Sequence, residues 1–317
     1  MKKVASFLIL PILIFAGLLF SGCDTVKVEE TIYLGDVDVQ APINTPPLRT
    51  IHRSAEPYGI KISPKFVINN NKNISTSTSS SFYKSLKPGD SLRPFFRENN
   101  LDWSFPDMVA GLDIEFPVSK NLFFTGGFHF SNINNQSAVG GAFGLGIGGL
   151  STVSAFRINA GVLVQKHLYT AQTVVKRVET YNDGSKKEFI SIYEDNATTT
   201  NFNPYVTLTY NSAYESPVNF YISGGYFAQS LLGFVPSNYA GDNPFFAPFH
   251  SFGVEYIKTD KRNDVSVGFY MLSPGVIYKF AENANALVGI KFLKAVSGDT
   301  KADEWMLMPA IQIDFTF

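Results

Sequence analysis

The sequence predicts an all-β fold, an antiparallel up-and-down transmembrane β-barrel of about 12 strands, with about 10 as the lower count. Three observations predict it. From Tyr58 onward apolar and polar residues alternate with period 2, the mark of strands with two unlike faces. The composition sets 29 Phe and 15 Tyr beside only 17% charged residues, at a mean hydropathy of +0.03, so apolar and polar positions are finely interleaved. After the first 22 residues no segment approaches the roughly 20 continuous apolar residues of a membrane helix, so any crossing is made by strands.

The clearest strand ends the chain. Trp305, Leu307, Pro309, Ile311, Ile313, Phe315 and Phe317 fall on one face; Met306, Met308, Ala310, Gln312, Asp314 and Thr316 fall on the other. A wall strand of a membrane barrel needs this contrast between a lipid face and a more polar interior. A terminal Phe closing such an alternation resembles the assembly signal of Gram-negative outer-membrane barrels. The resemblance makes Phe315 and Phe317 the candidate signal, and implies outer-membrane lipid and the barrel-assembly machinery as partners. Upstream, Ile60, Ile62, Pro64, Phe66 and Ile68 oppose Lys61, Ser63 and Lys65, and Met108, Ala110, Leu112, Ile114 and Phe116 oppose Asp113 and Glu115. Leu122 to Phe130 and Phe156 to Val164 repeat the pattern, with His129 and Arg157 on the polar side. A soluble sandwich also alternates; aromatic load, strand length and the terminal Phe favour the barrel.

Strands are expected near 58–69, 106–117, 121–132, 138–149, 152–168, 200–212, 217–230, 248–258, 264–271, 273–281, 285–296 and 304–317. If Met271-Leu272-Ser273-Pro274-Gly275 lies inside one strand, another weak segment drops out with it and the count becomes about 10, since a barrel with both termini on one side is even. Pro64, Pro274 and Pro309 lack a ladder donor and are expected at bulges or rims. Short turns at residues 117–121 and 281–285 read as periplasmic, whereas 69–100 and 231–246 read as extracellular loops. A long hairpin near 169–201 turns at Asn182-Asp183-Gly184-Ser185 and is expected to project beyond the membrane.

The N-terminus has a different grammar. Met1-Lys2-Lys3 precedes an apolar run to Phe20 and then Ser21-Gly22-Cys23, which holds the only cysteine of the chain. This is a secretory signal. The small pair before a cysteine resembles the lipobox of bacterial lipoproteins, which implies cleavage after residue 22 and acylation of Cys23. Phe20 stands where that family usually has Leu. Residues 23–57, with Pro42, Pro46, Pro47 and Pro57, are expected to be a lipidated extended tether, and 58–317 the barrel.

Chemistry-bearing motifs are few. Gly144-Leu145-Gly146-Ile147-Gly148-Gly149 fits the dinucleotide-loop pattern, but strand period rather than a helix follows it, so the glycines read as bare wall beside bulky lumen residues. The four histidines are dispersed without hydrolase or metalloprotease spacing, so no enzyme, cofactor or metal is expected. A net charge of −1, without a basic stripe, excludes a nucleic-acid footprint. Lys61, Lys65, Asp113, Glu115, Arg157, Lys279, Lys291 and Asp314 are assigned to the lumen, together with His129 as a hydrogen-bonded interior histidine. These charges read either as a selectivity lining or as a paired network filling a narrow barrel. The roles in view are passage of small solutes or hydrophobic molecules across the outer membrane; a non-conducting surface or assembly scaffold with an unidentified envelope partner; and a periplasmic lipid-anchored sandwich.

Overall fold

The structure, a computed structural model, describes residues 25–41, 45–52, 59–69, 73–78, 99–133, 136–231, 254–260, 265–296 and 305–317. The signal-like run, Cys23 and most of the two expected extracellular loops lie outside them. In chain order the strands are β1 (Thr25–Gln40), β2 (Lys61–Ile68), β3 (Asn73–Thr78), β4 (Asn99–Ser104), β5 (Met108–Pro117), β6 (Leu122–Ile133) and β7 (Gln136–Leu150). There follow β8 (Ser154–Tyr181), β9 (Lys186–Ser212), β10 (Val218–Leu231), β11 (Glu255–Asp260), β12 (Val265–Ala281), β13 (Ala284–Val296) and β14 (Trp305–Thr316). They belong to two compact units, one drawn from Met1–Gly35, Gln172–Asp195 and Pro236–Arg262, the other from Asp36–Ala171, Asn196–Val235 and Asn263–Phe317.

The second unit is a closed barrel. Its ring runs β2, β5, β6, β7, β8, β9, β10, β12, β13, β14 and back to β2. The pairing is antiparallel throughout the recorded registers. A ring without a free edge is not a two-sheet sandwich. Ten strands form the wall, within the expected 10 to 12, and two differences from the expected strand division have a physical cause. Residues 265–281 are one strand, because Pro274 sits where the β12–β13 register passes from Leu272↔Phe292 to Gly275↔Gly289 and no donor is called for. Of the expected strand at 248–258, residues 248–253 lie outside the described residues, and the rest is not in the wall: β11 pairs parallel with β1, from Lys27↔Glu255 to Ile32↔Asp260. Pro64 likewise falls in a lapse of the β14–β2 register, between Gln312↔Lys65 and Phe315↔Ile62. Ladder lapses, not bulges, accommodate these prolines.

The connections at residues 118–121, 151–153, 213–217 and 282–283 share one end of the barrel. There Ile60 and Phe317 exchange backbone hydrogen bonds of 3.0 and 2.9 Å. The links 69–107, 134–135, 232–264 and 297–304 leave from the opposite end. Side chains obey the pleat: Phe143, Leu145, Ile147, Leu208, Ile222, Val288, Leu307 and Ile311 point outward and exposed, while Asn159, Thr207, Thr209, Ser223, Gln312 and Asp314 point inward and buried.

The first unit holds the β1–β11 pairing and the tip of the β8–β9 hairpin, which turns at residues 182–185 as the Asn-Asp-Gly-Ser stretch requires. Gly184 takes φ 79°, a region open to glycine without a Cβ clash. The Asp183 carboxylate accepts from the Ser185 amide at 2.8 Å, and the hydrogen bonds from Ser185 hold its pKa below the ordinary value. Lys176 and Glu188 pair across the hairpin at 3.0 Å.

Glycines let the barrel wall close upon bulky inward residues. A Cβ on Gly161 would lie 2.0 Å from the Phe143 carbonyl oxygen, which is backbone and cannot give way, whereas one on Gly149 would meet nothing within 4 Å. Gly161→Ala is therefore expected to abolish the fast-migrating, unboiled band on a gel of refolded protein, and Gly149→Ala to keep it. Equal behaviour of the two variants would refute close strand approach at Gly161.

Candidate functional site

The lumen is the candidate site, because the inward faces gather nearly all the polar chemistry of the wall. Lys61, Lys65, Asp113, Glu115, His129, Arg157, Lys291 and Asp314 are all buried, and Lys279 is half-buried near the short-turn end, where its amide donates to the Pro217 carbonyl. Phe315 and Phe317 lie on the outward face of β14. His129 is buried and packs beside Gly140, whose missing side chain makes room for the ring, and its Nε2 has no hydrogen-bond partner among the described residues.

The linker expected over residues 23–57 is replaced by structure over much of its length. Thr25–Gln40 is the strand β1, and Thr45, Leu48, Arg49, Thr50, Ile51 and His52 are buried inside the barrel. An extended segment inside a ring has no neighbouring strand, so its backbone groups must find side chains. They do. The Asn211 amide group both accepts from the Ile51 N–H (3.3 Å) and donates to the Ile51 carbonyl (2.9 Å). Gln312 donates to the Leu48 carbonyl at 3.1 Å, and Lys61 to the Thr50 carbonyl at 2.5 Å. These partners come from β9, β14 and β2, on different sides of the ring.

Charges fix the same segment. Glu115 lies between two guanidiniums, 2.9 Å from Arg157 Nη1 and 3.7 Å from Arg49 Nε. Arg157 also donates to Asn159 Oδ1 at 2.7 Å and covers the Phe123 ring at 4.4 Å. Gly146 and Gly148 supply the space it occupies. His52 Nε2 lies 3.1 Å from Asp314 Oδ2, with Lys61 Nζ at 3.8 Å from the same oxygen. Lys65 pairs with Asp113 at 3.0 Å, and Lys291 donates to Thr45 Oγ1 at 2.5 Å. Glu115, Asp113 and Asp314 thus each stand beside a basic side chain in the lumen.

Towards the long-connection end the filling becomes neutral. Asn201 donates to His167 Nδ1 at 2.9 Å, which leaves the His167 Nε2–H to donate to Gln165 Oε1 at 3.2 Å; Gln229 donates to the same oxygen at 3.2 Å. Trp103 sets its ring edge-on to His167, with centroids 6.2 Å apart, and Phe105 sits edge-on to Phe269, which stacks on Phe227. Both aromatics belong to the chain just before β5 and are fully buried.

A cavity of about 90 Å³ opens among His52, Tyr214, Glu215 and Lys279 at the short-turn end, and one of about 10 Å³, roughly a single water, lies beside Lys65, Lys291 and Gln312. Among the described residues no group of three His, Cys, Asp or Glu side chains is placed to hold a metal ion. Arg49, His52, Trp103, Phe105 and the amide cluster around His167 went unassigned in the sequence. The buried Arg49 in a proline-rich stretch carries no periodic signal that would have exposed it.

No protein-family model and no curated protein matches the chain. Among solved structures it is similar to the outer-membrane protease OmpT from Escherichia coli, at 10% identity and a TM-score of 0.42, covering 86% of this chain and 100% of that one. It is also similar to LpxR from Salmonella typhimurium (9% identity, TM-score 0.31, 81% and 100% covered). The translocator domain of autotransporter NalP from Neisseria meningitidis is a third (8% identity, TM-score 0.31, 82% and 88% covered). At such identities no residue role or activity transfers.

Removing Glu115 would leave two buried guanidiniums without a carboxylate, a defect worth about 3–5 kcal/mol. Glu115→Ala is expected to lower the urea midpoint of the detergent-solubilised barrel strongly. Adding Arg49→Met should cost less than the sum of the single changes, since the residues share one network. A Glu115→Ala midpoint equal to that of the unaltered protein would show that the network carries no stability.

Proposed function

We propose that this chain is an outer-membrane barrel whose lumen is closed by its own residues 45–52, and that it acts as a membrane-anchored scaffold for a surface or envelope partner, not as an open pore and not as an enzyme. The observation that carries the reading is the lumen segment itself, with Arg49, Thr50 and His52 buried among wall side chains that bond it from several strands. Ten strands lie only slightly above the eight whose interior side chains fill, and far below the 16–18 of water-filled porins.

Placement in a membrane is supported by the exterior. Its middle is a band of Phe66, Phe143, Leu145, Ile147, Leu208, Val288 and Ile311, all exposed, and soluble monomers rarely expose so continuous an apolar surface. Aromatics rim both ends: Phe116, Tyr210, Phe220, Tyr278, Phe280 and Phe317 on one side, Phe130, Tyr226, Tyr270 and Trp305 on the other. That distribution fits the girdles of outer-membrane barrels. Acylation of Cys23 and recognition of Phe315 and Phe317 by the assembly machinery belong to the same proposal.

The test is planar-bilayer conductance. The refolded protein is expected to stay silent, and a variant lacking residues 45–52, checked for barrel formation by heat-modifiable migration, to show discrete steps. Steps of similar size from the unaltered protein would restore passage of small solutes as the function.

A further inference from the structure

Within the barrel unit the chain enters at one end and leaves at the other. Val37↔Leu101 to Gln40↔Ser104 pairs the end of β1 parallel with β4, and the Ala41 amide donates to the Ser104 carbonyl at 3.0 Å. Ser104 is followed directly by Phe105, which packs on Phe269 near the start of β12, and by β5, so this pairing belongs to the long-connection end. From there the segment descends. Thr45 meets Lys291 in the middle of β13; Leu48 meets Gln312; Thr50 meets Lys61 at the start of β2; Ile51 meets Asn211 at the end of β9; and His52 meets Asp314 near the end of β14. Ile60 then hydrogen-bonds Phe317 at the short-turn end. Thr45 to His52 thus covers the lumen from the level of mid-β13 to the short-turn end.

We infer that the barrel carries its own N-terminal segment across the membrane, so that the chain around Asp36–Ala41 is displayed on the face opposite the C-terminus. Expected instead, from the sequence, was a tether on the same side as Phe317. The inference rests on the membrane reading above and extends it: in an outer membrane whose long connections face outward, the chain around Asp36–Ala41 is a surface element. Residues 45–52 are the described part of this strap through the lumen, fixed by Asn211, Gln312, Lys61 and Glu115.

Single cysteines read out the side directly. Asp38→Cys reports the N-terminal segment, Ser137→Cys the long-connection end, and Lys120→Cys the short-turn end; all three positions are exposed. The unsubstituted protein, with Cys23 alone, sets the background. Cells are treated with a membrane-impermeant maleimide before and after outer-membrane permeabilisation. Ser137→Cys should label on intact cells and Lys120→Cys only after permeabilisation, which tests the membrane reading by itself. Asp38→Cys labelling on intact cells to at least the level of Ser137→Cys is the result expected from threading. Labelling of Asp38→Cys only after permeabilisation, with the two markers behaving as stated, would overturn threading and leave the barrel in place. Identical labelling of the two markers would remove the membrane reading, and the inference with it.

Discussion

A chain segment inside a closed ring cannot join the ladder around it, and most of this barrel's interior follows from satisfying the one that is there. Backbone groups left unpaired away from water are costly, so the lumen segment requires amides and ammonium groups at set heights on the wall. Asn211, Gln312 and Lys61 occupy those heights. Arg49 then brings a guanidinium beside Arg157, and only Glu115 makes that pair tolerable. Gly144, Gly146 and Gly148 open the wall opposite: Cβ atoms at these positions would run into Tyr205, Asn159, Arg157 and Ile51. The glycine-rich strand that fits a nucleotide-loop pattern is thus a recess for lumen side chains.

The same logic explains why the interior divides into two layers. Near the short-turn end the lumen is ionic, and Glu115, Asp113 and Asp314 each lie beside a basic side chain. Near the long-connection end it is built from amides, His167 and the aromatics Trp103 and Phe105, none of which needs a counter-ion. Burying charge without a partner is far costlier than burying a bonded amide, so Lys, Arg, Asp and Glu cluster in one layer rather than being dispersed.

Sequence reading recovered the wall well and the filling poorly, for one reason. A wall strand separates lipid from lumen, so every second residue differs in kind: Ile60, Ile62, Phe66 and Ile68 against Lys61, Ser63 and Lys65 is legible without any neighbour. Inward orientation of Asp113, Glu115 and Arg157 follows from that alternation alone. A segment surrounded by lumen on all sides has no two faces to contrast, so Thr45 to His52, with Pro46 and Pro47, reads as linker. Alternation also cannot say which sheet a strand joins. Val254 and Tyr256 against Glu255 looked like wall, yet β11 pairs with β1. Pro274 beside Gly275 read as a break because the sequence does not reveal that the ladder lapses at that position. Pairing partners such as Lys65 and Asp113 need the β2–β5 register, which periodicity leaves undetermined.

Threading also constrains how the ring is shut. Consecutive wall strands are neighbours all the way from β2 to β14, so the one pairing that is not local in sequence is the seam between β14 and β2. The Thr50 carbonyl of the lumen segment is held by Lys61, the first residue of β2. If the seam closed first, the whole N-terminal stretch would have to be drawn lengthwise through a finished ring already crowded by Arg157 and Glu115. If the segment is seated while the seam is open, Lys61, Gln312 and Asp314 can bond it from both sides of the gap as β14 arrives. The seam's own register lapses at Pro64, so contacts to the lumen segment supply bridging between β2 and β14 that their ladder lacks. Through Thr50 and His52 the lumen segment thus ties the first wall strand to the last.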